Sequence, residues 1–294
     1  MAKNTLPKET YIELALLVSN PSLELQEFIV EFLKKQRVQP SEIIESFLDS
    51  KYQYRFYTRS FRKIEQVKTA FSKSSLKKVR LKTTILGRAD WLDKWMLDYH
   101  SANLGKKFKV VPLWEKERFN DKKRIPVYMD PKGAFGSGLH ETTQLMIALM
   151  EKVEGKFNDF FDVGVGTGIL SIAAAHLGAQ KILGIDYDDI AIRSSHKNLK
   201  LNKIKEYELF EASLSEFKRK KKYDLVAANV VSKNLTNQKR KLISFVKKEK
   251  YLIVCGIVLE NFKVFQEEFK SPMLKCLKVL KGKRWGSCLY QKKA

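Results

Sequence analysis

The stretch Asp162-Val163-Gly164-Val165-Gly166-Thr167-Gly168-Ile169-Leu170 decides how the rest of the chain is read. It begins in a short apolar strand, Phe160-Phe161-Asp162-Val163, and ends in an Ala-rich helix over Leu170 to Leu177 that Gly178 stops. Between them the alternating glycines leave the backbone bare, so a ligand can approach the main chain closely. A dinucleotide fingerprint requires G-x-G-x-x-G, but Ile169 stands where the last glycine would fall, and no Gly-Lys-Ser/Thr ending marks a P-loop. An acidic residue ahead of the turn suits a ligand with an amino-acid head: the ammonium is drawn to Asp162, and the carboxylate meets the helix N–H groups. The next strand, Lys181 to Ile185, ends in Asp186, where a carboxylate accepts hydrogen bonds from both hydroxyls of a ribose. An amino-acid head and a nucleoside tail together describe S-adenosylmethionine.

Working outward from that turn, strands and helices alternate. A helix is expected from about Asp189 through Leu201, and strands near Tyr207 to Glu211, Tyr223 to Ala228 and Tyr251 to Cys255. A closing pair falls near Leu274 to Leu280 and Ser287 to Gln291. This is the pattern of an α/β, Rossmann-like, mainly parallel sheet with helices on both faces. Upstream, Tyr11 to Val18 is an apolar run. A helix capped by Asn20 or Ser22 then carries Leu25, Phe28, Ile29, Phe32 and Leu33, a second amphipathic stretch holds Ile43, Ile44, Phe47 and Leu48, and Tyr52 to Tyr57 alternates like a strand. The expected organisation is a smaller α/β domain over residues 1–86, a linker helix over 87–104 with Trp91 and Trp95 on one side, and a larger domain over 105–294.

At 294 residues with 44% hydrophobic and 11% aromatic residues, the chain builds packed cores and exceeds one core of ordinary size. Its longest apolar stretch, around Tyr251 to Leu259, falls short of the roughly 20 residues that cross a bilayer. The amino terminus, with Lys3, Lys8 and Glu9, lacks a signal-peptide core, so a soluble cytoplasmic protein, with no membrane partner, is expected. Cys255, Cys276 and Cys288 form no C-x-x-C pair and there are four histidines, so no metal site is expected; Cys255 reads as core. The formal net charge of +23 points to acidic surroundings such as RNA. The runs Lys218-Arg219-Lys220-Lys221-Lys222 and Lys247-Lys248-Glu249-Lys250 fall in expected connections, as solvated faces.

A second glycine cluster, Asp130-Pro131-Lys132-Gly133-Ala134-Phe135-Gly136-Ser137-Gly138-Leu139-His140-Glu141-Thr142-Thr143, leads into a helix with Leu145, Ile147, Ala148 and Leu149. Read together with the first cluster, it resembles the Asp-Pro-x-x-Ala-Phe-Gly-x-Gly-x-His-x-Thr-Thr segment of the bacterial ribosomal protein L11 methyltransferases, class I enzymes that use S-adenosylmethionine. Asp90-Trp91 with Trp95, the strand from Gly105 to Trp114, Ala227-Ala228-Asn229-Val230-Val231 and Gly256-Ile257-Val258 are similar to further segments of that family. Ser137 stands in place of its usual threonine, Val165 where cysteine is common, and Ala212-Ser213-Leu214 where Gly-Asp is often found.

The resemblance implies cofactor contacts at Thr143, Gly164, Asp186 and Asn229, with Phe135 and Gly166 in the same motifs, and a substrate-recognition role for residues 1–86. It implies methyl transfer to lysine side-chain or N-terminal amines of a ribosomal protein by a monomeric enzyme. Asn229, nearest the chemistry, would accept a hydrogen bond from the attacking amine and aim its lone pair. His140 reads as a structural hydrogen-bonder, with proton removal as the rival role. Val230-Val231 follow Asn229 without a proline, which separates the chain from the Asn-Pro-Pro-Tyr enzymes of glutamine and adenine. The alternatives are a methyltransferase of another protein's lysines or of RNA, and a non-catalytic basic protein associated with RNA or the ribosome.

Overall fold

A computed structural model describes residues 10–19, 21–38, 43–48, 51–87, 99–130, 138–230 and 232–294. Packing divides the chain into two units, Met1–Tyr99 and His100–Ala294.

In the first unit the element order is β1 (Thr10–Ser19), α1 (Leu23–Lys35), β2 (Ile44–Leu48), β3 (Lys51–Thr58), α2 (Phe61–Ser72) and β4 (Arg80–Gly87). The four strands form an antiparallel sheet in the order β2-β3-β1-β4, a split β-α-β arrangement. Strand parity puts Ile12, Leu14 and Leu16 of β1 and Tyr54 and Phe56 of β3 on one face, where they pack with Ile29 and Leu33 of α1 and Ile64 and Val67 of α2. Ser22 caps α1, its Oγ accepting from Leu25 N at 3.3 Å. The amphipathic stretch at Ile44 to Leu48 is a strand: its close sequence neighbour β3 pairs with it in antiparallel register from Leu48↔Lys51 to Ile44↔Arg55.

Most of the linker helix expected over 87–104, with Trp91 and Trp95, lies outside the described residues. Its two ends are not helical. Gly87 closes β4, and Ala102–Leu104 forms strand β5, antiparallel to β6 (Phe108–Pro112), because the left-handed Gly105 (φ +62°) turns the chain back on itself. β6 then pairs in parallel with β7 (Ile125–Met129), completing a small three-stranded sheet.

The rest of the second unit is α3 (Glu141–Met150), β8 (Asp159–Val163), α4 (Ile169–His176), β9 (Lys181–Asp186), α5 (Asp189–Leu201), β10 (Tyr207–Glu211) and β11 (Tyr223–Asn229). After these come α6 (Ser232–Asn237), α7 (Lys239–Ser244), β12 (Val246–Val258), α8 (Phe262–Phe269), β13 (Leu274–Lys281) and β14 (Trp285–Lys292). The seven strands run in the order β10-β9-β8-β11-β12-β14-β13, parallel through β12 and antiparallel for the closing pair. Phe161 and Val163 face one side of β8 and pack with Leu235, Leu242, Phe262 and Phe265 from α6, α7 and α8. Asp162 faces the other side, toward α4. Strand order reverses between β8 and β11, and at such a switch point a crevice opens beyond the strands' carboxyl ends.

The lysines at 247 to 250 lie within β12 instead of a connection. Lys247 pairs with Asp159 and Asp224, Lys221 with Asp159, Lys250 with Asp224, and Arg219 with Glu208, so four of the eight basic residues in these runs have a carboxylate partner. Cys255 is buried in the same strand, and burial pushes its thiol up to about 12.

Candidate active site

Three of the residues singled out in the sequence meet at the reversal of strand order. Gly164 follows the end of β8, Asp186 ends β9, and Asn229 ends β11. The turn after β8 is tied to β9 by its own backbone: Gly164 N and Val165 N both donate to Ile185 O at 2.9 Å. Gly164 has φ +77°, and a Cβ there would lie 2.9 Å from Val230 Cγ1, so both conformation and space demand glycine. Asp186 Oδ2 accepts from Gly166 N at 3.0 Å and its Oδ1 accepts from Asp188 N at 3.2 Å, which fixes the carboxylate at the strand tip. Burial holds its carboxyl above the usual range, against the lowering pull of those N–H donors.

Asp162 is wholly buried. Its Oδ2 accepts from Ser171 Oγ at 2.6 Å, while Oδ1 has no hydrogen-bond partner among the described residues. Burial, reinforced by the charge of Asp186, pushes its pKa up to about 8. A buried acceptor without a donor is costly, and it marks the place where a cationic ligand group would be welcome.

The upstream glycine cluster is fastened at both ends. At its start, Asp130 N donates to Asn198 Oδ1 at 2.8 Å, and Asn198 Nδ2 donates to Thr167 O at 3.0 Å, joining the loop to the glycine turn through α5. One helical turn on, Asn202 brackets Tyr128 the same way, accepting from its N–H at 2.8 Å and donating to its carbonyl at 2.7 Å. At the far end, His140 caps α3: its Nδ1 accepts from Thr142 N at 3.3 Å, and its ring stands edge-on to Trp285 at 5.6 Å. Burial holds the His140 imidazole below its ordinary pKa, which suits the acceptor role of a cap. Glu141 accepts from the backbone N–H groups of Lys283 and Arg284 in the β13–β14 turn, seating the helix start on the sheet. Phe135 lies outside the described residues.

Thr142 and Thr143 divide the work of that first helical turn. Asn229 Nδ2 donates to Thr142 Oγ1 at 3.2 Å, and Thr142 Oγ1 also meets His140 Nδ1 at 2.8 Å. Thr143 is buried, and its Oγ1 has no partner among the described residues. The segment after Asn229 packs on a bulge of β12 against β14, where Gly256 (φ +97°) is so close that a Cβ would fall 2.1 Å from Val230 O.

Comparison with known proteins bears on this arrangement. The family model for ribosomal protein L11 methyltransferases matches residues 15–293. The chain belongs to that family. A ribosomal protein L11 methyltransferase of Caldanaerobacter subterraneus is 32% identical over 215 residues, covering 73% of this chain and 69% of that protein. A second, from Alkaliphilus metalliredigens, is 32% identical over 69% of this chain and 64% of its own length. The crystal structure of a ribosomal protein L11 methylase from Lactobacillus delbrueckii superposes with a TM-score of 0.61 at 29% identity, covering 67% of this chain and all of that one.

The protein is therefore a methyltransferase, and its methyl donor is S-adenosylmethionine. The residues present fit that donor. The turn at Gly164 leaves room for a ligand against the main chain, Asp186 offers an acceptor at the strand tip, and the buried, unpartnered atoms Thr143 Oγ1 and Asp162 Oδ1 supply a donor and an acceptor. Asn198 is the site residue that sequence reading passes over, since it lies in no glycine run and its partners are distant in the chain, and Thr142, read as part of the upstream motif, holds Asn229 across 87 residues.

Proposed function

We propose that this methyltransferase moves methyl groups from S-adenosylmethionine to lysine side-chain or N-terminal amines of a ribosomal protein, the counterpart of the protein its relatives are named for. The observation that carries the reading is Asn229 at the tip of β11, its amide nitrogen held by Thr142, beside the glycine turn and Asp186.

When bound, the donor supplies a sulfonium methyl that is already activated, so no side chain has to attack it. The protein's work is to bind, align and exclude water. Asp186 would take the ribose hydroxyls, the bare backbone at Gly164 and Gly166 would lie against the ligand, and Thr143 would meet its amino-acid end. With its Nδ2 committed to Thr142, Asn229 turns its carbonyl Oδ1 toward other partners, where it accepts an N–H of the attacking amine and points the lone pair. A lysine amine, pKa about 10.4, is charged in neutral water and must lose a proton before attack, which desolvation in the crevice and a neighbouring positive charge promote. His140 serves the helix start, so the proton leaves to solvent.

The N-terminal domain over residues 1–86 would recognise the protein substrate, and the enzyme would act as a monomer in the cytoplasm. Among the described residues no helix is long and apolar enough to cross a membrane. A lysine-rich substrate is repelled by a net charge of +23, and RNA in the vicinity of both partners resolves that conflict.

The test is methylation of the purified ribosomal protein in the presence of S-adenosylmethionine, read by intact-mass spectrometry. Increments of one methyl mass on lysine or the amino terminus are expected. An unmodified substrate, with donor uptake shown by calorimetry, would refute the choice of substrate.

A further inference from the structure

The molecule's positive charge is spent in two different ways. In the second unit four of the eight basic residues in the runs at 218 to 222 and 247 to 250, namely Arg219, Lys221, Lys247 and Lys250, are tied to Asp159, Asp224 and Glu208. In the first unit, the segment from Arg59 to Lys82 holds nine basic residues against one acidic residue, Glu65. Glu65 is already paired with Lys68 at 3.0 Å. Arg62, Lys73, Lys77, Lys78, Arg80 and Lys82 are all exposed, and none has an acidic partner among the described residues.

Four of these cations lie on or just after α2. Arg62, Gln66, Thr69 and Lys73 recur at helical spacing along the outer side of α2 and line one shallow hollow of about 540 Å³ with Gln36 of the α1 end. The helical rise sets the distance from Arg62 to Lys73 at roughly 16 Å. Lys77 and Lys78 follow in the turn after α2, whereas Arg80 and Lys82 on β4, an outer strand, stand opposite Leu17 and Ala15 and so face the side of the sheet away from α2. Lysine on an edge strand also guards against sheet-to-sheet pairing, which accounts for Arg80 and Lys82 but not for Arg62, Lys73, Lys77 or Lys78.

We infer that the outer side of α2, with the turn that follows it, is a docking surface for the phosphate backbone of double-helical RNA. A row of uncompensated cations interleaved with Gln66, Thr69, Ser72, Ser74 and Ser75 supplies charge and neutral hydrogen-bonders, the mixture that contacts phosphate and sugar. The segment's two rings are drawn inward, Phe71 packing edge-on to Phe32 at 6.2 Å and Phe61 against the same core, so no exposed ring is offered for stacking unpaired bases. Recognition is therefore by charge and shape, as for duplex RNA. RNA is chosen over DNA on the strength of the proposed ribosomal substrate, and this inference rests on that reading.

The experiment measures fluorescence anisotropy of a labelled RNA duplex with the full-length protein from 50 to 300 mM KCl. Wild type is expected to bind with a log–log salt slope of about −3.6, since each of four phosphate contacts contributes about 0.9. The variant Lys73→Gln/Lys77→Gln/Lys78→Gln is expected to lose at least tenfold in affinity at 100 mM and to flatten the slope by about 2.7. The control Lys220→Gln/Lys222→Gln/Lys248→Gln should stay within twofold, and thermal unfolding confirms that both variants fold. Polyglutamate at equal charge should fail to displace the duplex. Absence of binding at 50 mM, equal losses in the two variants, or displacement by polyglutamate each overturns the inference. Donor uptake by the wild type is measured in parallel: its absence sinks the methyl-transfer reading while leaving the RNA result standing.

Discussion

Asn229 donates its amide nitrogen to Thr142 Oγ1 across 3.2 Å, linking the tip of β11 to the first turn of α3. That bond sets which atom of the amide faces the crevice, so Thr142 is a positioning residue for Asn229. Thr142→Val should lower kcat by about 10- to 100-fold, the equivalent of roughly 1.4 to 2.7 kcal/mol of lost alignment, and leave donor affinity within about threefold. Thr142→Ser keeps the hydroxyl and should restore most of the rate. Asn229→Ala should behave like Thr142→Val. Steady-state kinetics with calorimetric donor binding decides the matter: a Thr142→Val enzyme at wild-type kcat would remove the alignment role.

Asp186 answers a different question, that of cofactor hold. Its carboxylate already accepts from Gly166 N and Asp188 N, and each oxygen keeps a further lone pair for a hydroxyl. Hydrogen bonds to a charged group are worth about 1.5 to 3 kcal/mol each, so Asp186→Ala should weaken donor binding by at least about tenfold. Titration calorimetry is the direct check, and an unchanged Kd would put the ribose elsewhere.

Much of this architecture is legible in the residues. The strands at 160–163, 181–185 and 207–211 and the helix from Asp189 to Leu201 carry local signals: apolar runs, a bare turn, an Asp cap. The glycine turn at Gly164 and Asp186 stand out by their place after apolar strands, whereas Asn229 stands out only through the resemblance, and the fold brings all three to the ends of neighbouring strands. Asn198 is not legible. It lies on a polar helix, 31 residues from Thr167 and 68 from Asp130, and only the folded sheet brings those backbones to one side chain. The strand at Ile44 to Leu48 hides for a related reason, since five residues show too little periodicity to separate strand from helix, and pairing with β3 decides. The ion pairs of the basic runs hide for the same reason: Asp159, which holds both Lys221 and Lys247, is far from either in sequence.

Asn198 thus becomes a test of whether fastening the upstream loop matters. Its amide bonds Asp130 N and Thr167 O in a fully buried position, so Asn198→Ala removes both hydrogen bonds and the packing of the side chain. A loss of about 1 to 3 kcal/mol in unfolding free energy is expected, at about 0.5 to 1.5 kcal/mol per hydrogen bond. Denaturant titration reads it, and stability within 0.5 kcal/mol of wild type, taken as roughly the scatter of surface substitutions, would show the clamp to be incidental.

Gly256 tests the support beneath Asn229. With φ +97° and a Cβ destined for 2.1 Å from Val230 O, Gly256→Ala must displace either β12 or the segment after Asn229. The backbone conformation alone costs about 1 to 3 kcal/mol, and the clash adds to it. Lower thermal stability together with reduced kcat is expected. Normal kcat in a destabilised variant would mean that β12 moves and the Asn229 segment does not.

Asp162 gives the fold a pH dependence of known sign. Its carboxyl is raised from an ordinary 3.8 to about 8, with burial the first cause. Below the lower value both the folded and the unfolded chain hold the proton. Between the two values the unfolded chain has released it while the folded chain keeps it, so stability declines as pH rises through this window and levels off above the folded pKa. Asp162→Asn removes the titration and keeps an acceptor for Ser171 Oγ. In the absence of donor, thermal midpoints measured from pH 4 to 9 should fall less steeply with pH in the variant, and the variant should gain on the wild type most at the alkaline end. Parallel profiles for the two proteins would show that Asp162 is ionised throughout, and the unpartnered Oδ1 would then need a cation in the folded protein itself.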